Sequence, residues 1–182
     1  MSETPAPERK FELPPGYDGL AEARRLLRAT RAGSLATLDA GGAPFASLVN
    51  VATAFDGSPL LLMSGLSAHT QFLARDPRAS LLLAETGKGD PLAHPRLTVS
   101  GVALRLEGEA RAQARRRFLA RHPKSALYAD FGDFSFWRIE VARAHLNGGF
   151  AKAAAYAGAQ LLLDVAGAGA LAEAEESALE HM

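Results

Sequence analysis

Three short runs of strand-forming residues follow one another within residues 33–64, and the joints between them are too tight to hold helices. The first is GSLATLD at 33–39 and the second is PFASLVNVATAF at 44–55. Between them Ala40-Gly41-Gly42-Ala43 supplies glycines for the positive φ of a hairpin turn. Asp56-Gly57-Ser58-Pro59 makes the next turn, and Leu60-Leu61-Leu62-Met63 opens the third run. Strands joined this closely pair antiparallel, because a parallel pair needs a crossover of roughly a dozen residues or more. The spacing therefore predicts an antiparallel meander.

Residues 60–85 add a different unit. Ser64-Gly65-Leu66-Ser67 turns the chain, and Ser67 is placed to N-cap a short helix over 68–75. Asp76-Pro77 stops that helix, since proline biases its predecessor out of the α region. Leu81-Leu82-Leu83 then resumes the sheet over 79–85. A helix opening among hydroxyls offers unpaired N–H groups and a positive dipole end, which suit a phosphate. The same residues also serve as a plain capped crossover with no ligand.

The other elements read in order. Residues 17–31 form an amphipathic helix with Asp18 as N-cap and Leu20, Ala23, Leu26 and Leu27 on one face. Arg24, Arg25 and Arg28 lie off that face and read as solvated charges. On the strand at 44–55, alternation puts Asn50 on the same side as Ala46, Leu48, Ala52 and Ala54. That predicts a buried amide in need of partners. A Gly/Pro-rich loop at 86–95 has the length of a functional flap. Residues 96–108 form a long strand in which Gly101 signals a bulge or a close backbone approach. A helix over 109–122 is stopped by Pro123, and His122 reads as a cation at its C-terminus. Asp130 and Asp133 read as turn residues around Phe131-Gly132. The last long strand is 134–147, ending at Gly148-Gly149-Phe150. Residues 1–16, with Pro5, Pro7, Pro14 and Pro15, read as a flexible arm, and 17–165 as the domain. Residues 166–182 read as a helical segment without a C-cap signal, the start of a truncated second domain.

Several function classes fall away. Lys plus Arg equals Asp plus Glu at 20 each, so there is no basic excess for general nucleic-acid binding. With no cysteine there are no disulfides, thiolate metal sites or cysteine nucleophiles, which fits a cytoplasmic protein. No apolar run approaches the roughly 18 residues of a membrane span. The histidines, at 69, 94, 122, 145 and 181, show no metal-ligand spacing, so no metal site of the chain's own is expected. No motif marks a catalytic residue.

The patterns P-x-A-S-L-V at 44–49, S-G-L-S-A-H-T at 64–70 and D-P-R-A-S-L-L-L at 76–83 resemble the FMN-binding split-barrel family related to pyridoxamine 5′-phosphate oxidase. R-L-T-V-S-G at 96–101, His122-Pro123, Asp133-Phe134 and Gly148-Gly149-Phe150 continue the resemblance in order, and the branch resembled is the haem-utilisation (HugZ-type) group. That group's second domain begins with a helix that the C-terminal L-E-H-M, at 179–182, resembles. The resemblance implies a six- to seven-stranded antiparallel split barrel with flanking helices. It also implies a homodimer, with FMN in a cleft between subunits and an oxidoreductase role on an unknown substrate.

Carried over residue by residue, Ser47, Leu48, Val49 and Asn50 meet the isoalloxazine ring. Ser64, Leu66, Ser67, His69, Thr70 and Arg96 hold the phosphate. The oxidases proper carry arginine and lysine at the positions of Ser47 and Ala52, and a basic pair where this chain has His69-Thr70. The usual phosphate charges are thus largely replaced by hydroxyls and amides. The alternative is haem binding or degradation on the same barrel, with an axial histidine from the C-terminal region. His145, His181 or a residue beyond Met182 are the candidates for that role. A non-catalytic module is the third reading.

Overall fold

The computed structural model describes residues 13–165. The arm at 1–16 lies mostly outside these residues, and the C-terminal segment at 166–182 wholly so. Helix α1 spans Gly19–Ala29, and the Asp18 carboxylate caps it by accepting from the Ala21 N–H at 2.9 Å. Its face of Ala23, Leu26 and Leu27 is buried against the sheet. Off that face, Arg25 pairs with Glu22 and Glu85.

The strands are β1 Ala32–Leu38, β2 Pro44–Asn50, β3 Ala52–Thr53, β4 Pro59–Ser64, β5 Arg78–Ala84, β6 Arg96–Arg105, β7 Phe134–Asn147 and β8 Ala153–Ala157. Helices α2, Ala68–Leu73, α3, Gly108–Arg121, and α4, Gly158–Leu161, flank them. All join one 8-stranded sheet in the order β2-β1-β5-β6-β7-β4-β3, with β8 also on β7. Every ladder is antiparallel. The fold is an antiparallel split barrel.

The sheet departs from expectation in two places. The run at 44–55 is two strands rather than one, broken at Val51. β8 is an additional strand, beyond the six or seven expected. Its sequence, AAAYA, is rich in the best helix former and carries no strand signal of its own. It is extended because β7 overruns its neighbour. β4 covers one edge of β7 only from Phe134 to Arg138, and β8 takes the same edge from Arg143 to Asn147.

The break at Val51 shapes the whole molecule. β2 and β3 are the two ends of the sheet, yet Val51 alone separates them in the chain. The sheet must therefore curl until its edges nearly meet. Val51 is fully buried at that seam. Its N–H donates to the Arg31 carbonyl at 2.8 Å, and its carbonyl accepts from His122 Nε2 at 2.9 Å. His122 is therefore not the helix-end cation expected from sequence. Burial, with Arg31 and Arg121 nearby, lowers its pKa and keeps the ring a neutral donor.

Inside the curl Leu35, Leu61, Leu81, Leu83, Leu97, Ile139 and Leu146 are fully buried, with Leu26 and Leu27 of α1 against them. α3 closes one end, where Phe118 meets Phe136 edge-on at 5.8 Å. Among the described residues no helix is long and apolar enough to cross a membrane.

Gly101 sits at a register shift between β6 and β7, as its place in the sequence suggests. A Cβ there would lie 1.8 Å from the Glu140 carbonyl oxygen, so any side chain forces the strands apart. Gly101→Ala is expected to lower stability by about 1–3 kcal/mol. Gly132→Ala, at a site with nothing within 4 Å, should stay within about 0.5 kcal/mol of wild type. Denaturant melts of both variants check this.

Candidate functional site

The turn from β4 into α2 is held from outside itself. Ser67 occupies the N-cap position of α2, but its side chain makes no capping hydrogen bond, contrary to expectation. Asp133 does the holding. Its carboxylate accepts from Ser64 Oγ at 2.6 Å, and its carbonyl accepts from the Gly65 N–H at 2.6 Å. Ser64 Oγ in turn accepts from the Leu66 N–H at 3.1 Å. α2 is pressed onto β2 by Phe72, which meets Phe45 edge-on at 5.4 Å, and by buried Leu73.

Between β2, β4 and this turn lies a cleft of about 300 Å³. It is lined by Leu48, Val49 and Asn50 of β2, by Leu62, Met63 and Ser64 of β4, and by Ser67, His69, Tyr128 and Phe134. Tyr128 and Phe134 meet at a 45° tilt with centroids 4.9 Å apart, and Tyr128 OH is 2.9 Å from Ser125 Oγ. His69 Nδ1 is 3.0 Å from Ser47 Oγ. Burial lowers the His69 pKa, so the ring is neutral near pH 7. No lysine or arginine is among the lining residues.

The cleft thus brings together Leu48, Val49, Asn50, Ser64, Ser67 and His69, with Ser47 joined to it through His69. Three of the residues singled out in the sequence lie elsewhere. Leu66 is 81% exposed on the turn. Thr70 is buried, and its hydroxyl has no hydrogen-bond partner. Arg96 pairs in register with Asn147, at the far end of β7 from Phe134, and donates to the Leu92 carbonyl at 3.0 Å. Within one chain, Arg96 and the 64–70 turn therefore do not share a site. Asn50 is exposed, not buried, because β2 is an edge strand whose outer face is uncovered.

Leu62, Met63, Tyr128 and Phe134 are wall residues that the sequence reading missed. Only Phe134 carried a signal, as part of the Asp133-Phe134 pair. Tyr128 follows a 3-10 turn at Pro123–Leu127 that local sequence does not announce. A second hollow, of about 530 Å³, lies on the outer face of β6, β7 and β8. Thr98, Ser100, Arg143, His145 and Tyr156 line it. His145 is therefore remote from the cleft within one chain.

A single curled antiparallel sheet with a cleft at its split defines a split-barrel class of fold. The chain belongs to the pyridoxamine 5′-phosphate oxidase family, whose model matches residues 20–148. It is 41% identical over 123 residues to the chloroplastic heme oxygenase HOZ of Arabidopsis thaliana, covering 65% of this chain and 37% of that protein. A heme binding protein from Mycobacterium smegmatis shares 36% identity at a TM-score of 0.76, over 80% of this chain and 60% of that one. Atu2129 of Agrobacterium tumefaciens, of unknown function, shares 32% identity at a TM-score of 0.75, over 89% and 67%. The chain thus spans little more than a third of the plant relative.

His69 and His122 are both neutral through burial, and unfolding frees them to protonate. Their folded pKa values lie below the ordinary 6.5, so the stability they contribute is present above that pH. It is lost as pH falls toward the folded values. Unfolding free energy should therefore decline below about pH 6.5, and the decline should be shallower in His122→Gln. Urea titrations across that range check both statements.

Proposed function

We propose that the protein binds haem in the cleft between β2, β4 and α2, as its cofactor or its substrate. The observation that carries this reading is the charge of the cleft. An FMN phosphate brings close to two negative charges and needs cations or free donors. The lining offers no lysine or arginine, and its imidazole is neutral. Of the four hydroxyls that would serve a phosphate, three are engaged or enclosed, and Ser67 lines the cleft without a capping bond. Ser64 donates to Asp133, Ser47 is paired with His69, and Thr70 is buried.

A porphyrin makes the opposite demands. Its macrocycle is apolar and planar, and its propionates can remain in solvent. Leu48, Val49, Leu62 and Met63 give it aliphatic contact, and the Tyr128–Phe134 pair gives it aromatic contact. A neutral imidazole is a donor suited to iron. When bound, haem supplies the redox chemistry, and the chain supplies burial and orientation. The names of the Mycobacterium and Arabidopsis relatives support the same choice. Haem degradation is the reaction class that the plant relative's name suggests for the whole protein.

Assembly as a homodimer is part of the proposal. In register, Leu48, Ser34, Leu82 and Thr98 form one outward row across β2, β1, β5 and β6. Leu48 is 77% exposed and Leu82 39%. A second copy laid on this face would cover that apolar surface beside the cleft.

Haem titrated into the purified protein should give a Soret band that saturates at one equivalent per chain, and excess FMN should not displace it. Phe134→Ala should weaken haem binding by about tenfold through lost ring contact. A protein that takes up FMN with flavin absorption and ignores haem would contradict the reading. Sedimentation should give a dimer, and Leu82→Glu should shift it toward monomer.

A further inference from the structure

Charge is spread unevenly along this chain. Residues 1–165 hold all 20 lysines and arginines but only 16 of the 20 carboxylates. The other four are Glu173, Glu175, Glu176 and Glu180, in a stretch with no lysine or arginine. The opposite concentration is on α3. Its 14 residues carry Arg111, Arg115, Arg116, Arg117 and Arg121 against one carboxylate, Glu109. Asp130 pairs with Arg115 at 2.5 Å, and Glu109 lies 3.5 Å from Arg116. Neutral groups take further contacts. Arg117 donates to the Thr53 carbonyl at 2.7 Å, Arg121 donates to the Ala29 carbonyl, and Arg111 lies 5.9 Å from the centre of the Phe136 ring. A carbonyl or a ring satisfies a guanidinium without cancelling its charge. Arg31, which donates to the Arg121 carbonyl, adds another cation at the same end. Burial, with the Arg31 charge beside it, lowers the Arg121 pKa.

The chain leaves the barrel beside this helix. The Leu163 N–H donates to the Asp56 carbonyl at 2.9 Å. Arg117 meets the same turn, through Thr53 and through the Phe55 ring at 6.0 Å. From Val165 to Glu173 the chain can extend about 26–29 Å, whereas α3 is about 21 Å long. The whole helix is therefore within reach of the glutamates.

We infer that the acidic stretch 173–180 docks on the arginines of α3 in the same chain. Opposite charge and the short tether select this occupant. At the helical spacing that the sequence predicts for 166–182, Glu173, Glu176 and Glu180 share one face and can meet α3 together. Exposed ion pairs are weak singly, but several on one tethered segment act at a high effective concentration. α3 runs on into the 3-10 turn that precedes Tyr128, a wall of the cleft. The docked stretch therefore lies on that flank of the barrel.

The test uses the full chain without haem, so its outcome is independent of the haem reading. The sequence has no cysteine, and Ser177→Cys supplies a single site for a nitroxide spin label. Amide signals at 111–121 and 53–57 should broaden in the labelled protein. The broadening should vanish in about 1 M salt, where the screening length falls to about 3 Å. It should vanish also when Glu173→Gln, Glu176→Gln and Glu180→Gln are combined in the labelled protein, with the remaining amide shifts of the barrel unchanged. Separately, carbodiimide treatment of Arg116→Lys should join the new amine to a carboxylate within 173–180, a bond that misfolding cannot place, located by peptide mass spectrometry.

Broadening that is absent, or that falls elsewhere on the barrel, overturns the inference. So does broadening that survives high salt or the three glutamine substitutions, or a cross-link confined to Glu109. Broadening of isotope-enriched, unlabelled chains mixed with spin-labelled ones puts the stretch on a second copy and overturns it equally.

Discussion

Val51 is held at both ends of its backbone, and the curl of the sheet depends on that hold. The chain leaves β2 at one edge of the sheet and enters β3 at the other with this single residue between them. No flat sheet permits that connection. The Arg31 carbonyl takes the Val51 N–H, and His122 satisfies its carbonyl, so a buried peptide with no strand partner is nonetheless paired. The same region is tied from outside by a reciprocal pair of guanidinium contacts. Arg31 donates to the Arg121 carbonyl, and Arg121 to the carbonyl of Ala29. The C-terminal ends of α1 and α3 are thereby joined across the seam.

The cleft follows from the seam. Curling brings β2 beside β4, and α2 must then turn sharply to leave β4 without filling the gap. Asp133, just before the neighbouring strand β7, anchors that turn through Ser64 and Gly65. The walls are therefore carried by strands and by a pinned turn, which suits recognition of a rigid planar ligand. Their chemistry is mixed apolar and neutral polar with one imidazole, and that balance is the ground on which haem is proposed. Where the oxidases proper place arginine, Ser47 here faces His69.

Much of this was legible in the sequence. The meander at 33–64, the Asp18 cap, the strand–turn–helix–strand unit and the irregularity at Gly101 each rest on local rules of turn, cap and backbone geometry. Leu48, Val49, Asn50, Ser64, Ser67 and His69 could be grouped because they lie on two short stretches that the family resemblance brings together. What local rules did not reveal depends on tertiary context. AAAYA is a strand only because β7 leaves an edge open. His122 is neutral because its own burial outweighs the raising effect of its bond to the Val51 carbonyl. Tyr128 reaches the cleft because Pro123 starts a 3-10 turn after α3. Arg96 is joined to the phosphate turn by the family resemblance alone, and within one chain the register puts the two at opposite ends of β7.

The central claim is that haem occupies the cleft at the split and not the hollow on the outer face of β6, β7 and β8. Ferric haem is paramagnetic, so it erases the amide resonances of residues close to it. The most direct measurement is the amide NMR spectrum of the full chain with and without one equivalent of ferric haem. The account predicts loss of signals at 48–50, 62–69, Tyr128 and Phe134, with Thr98, Ser100, Arg143 and Tyr156 retained. Loss confined to the latter group, with the cleft signals intact, would contradict it.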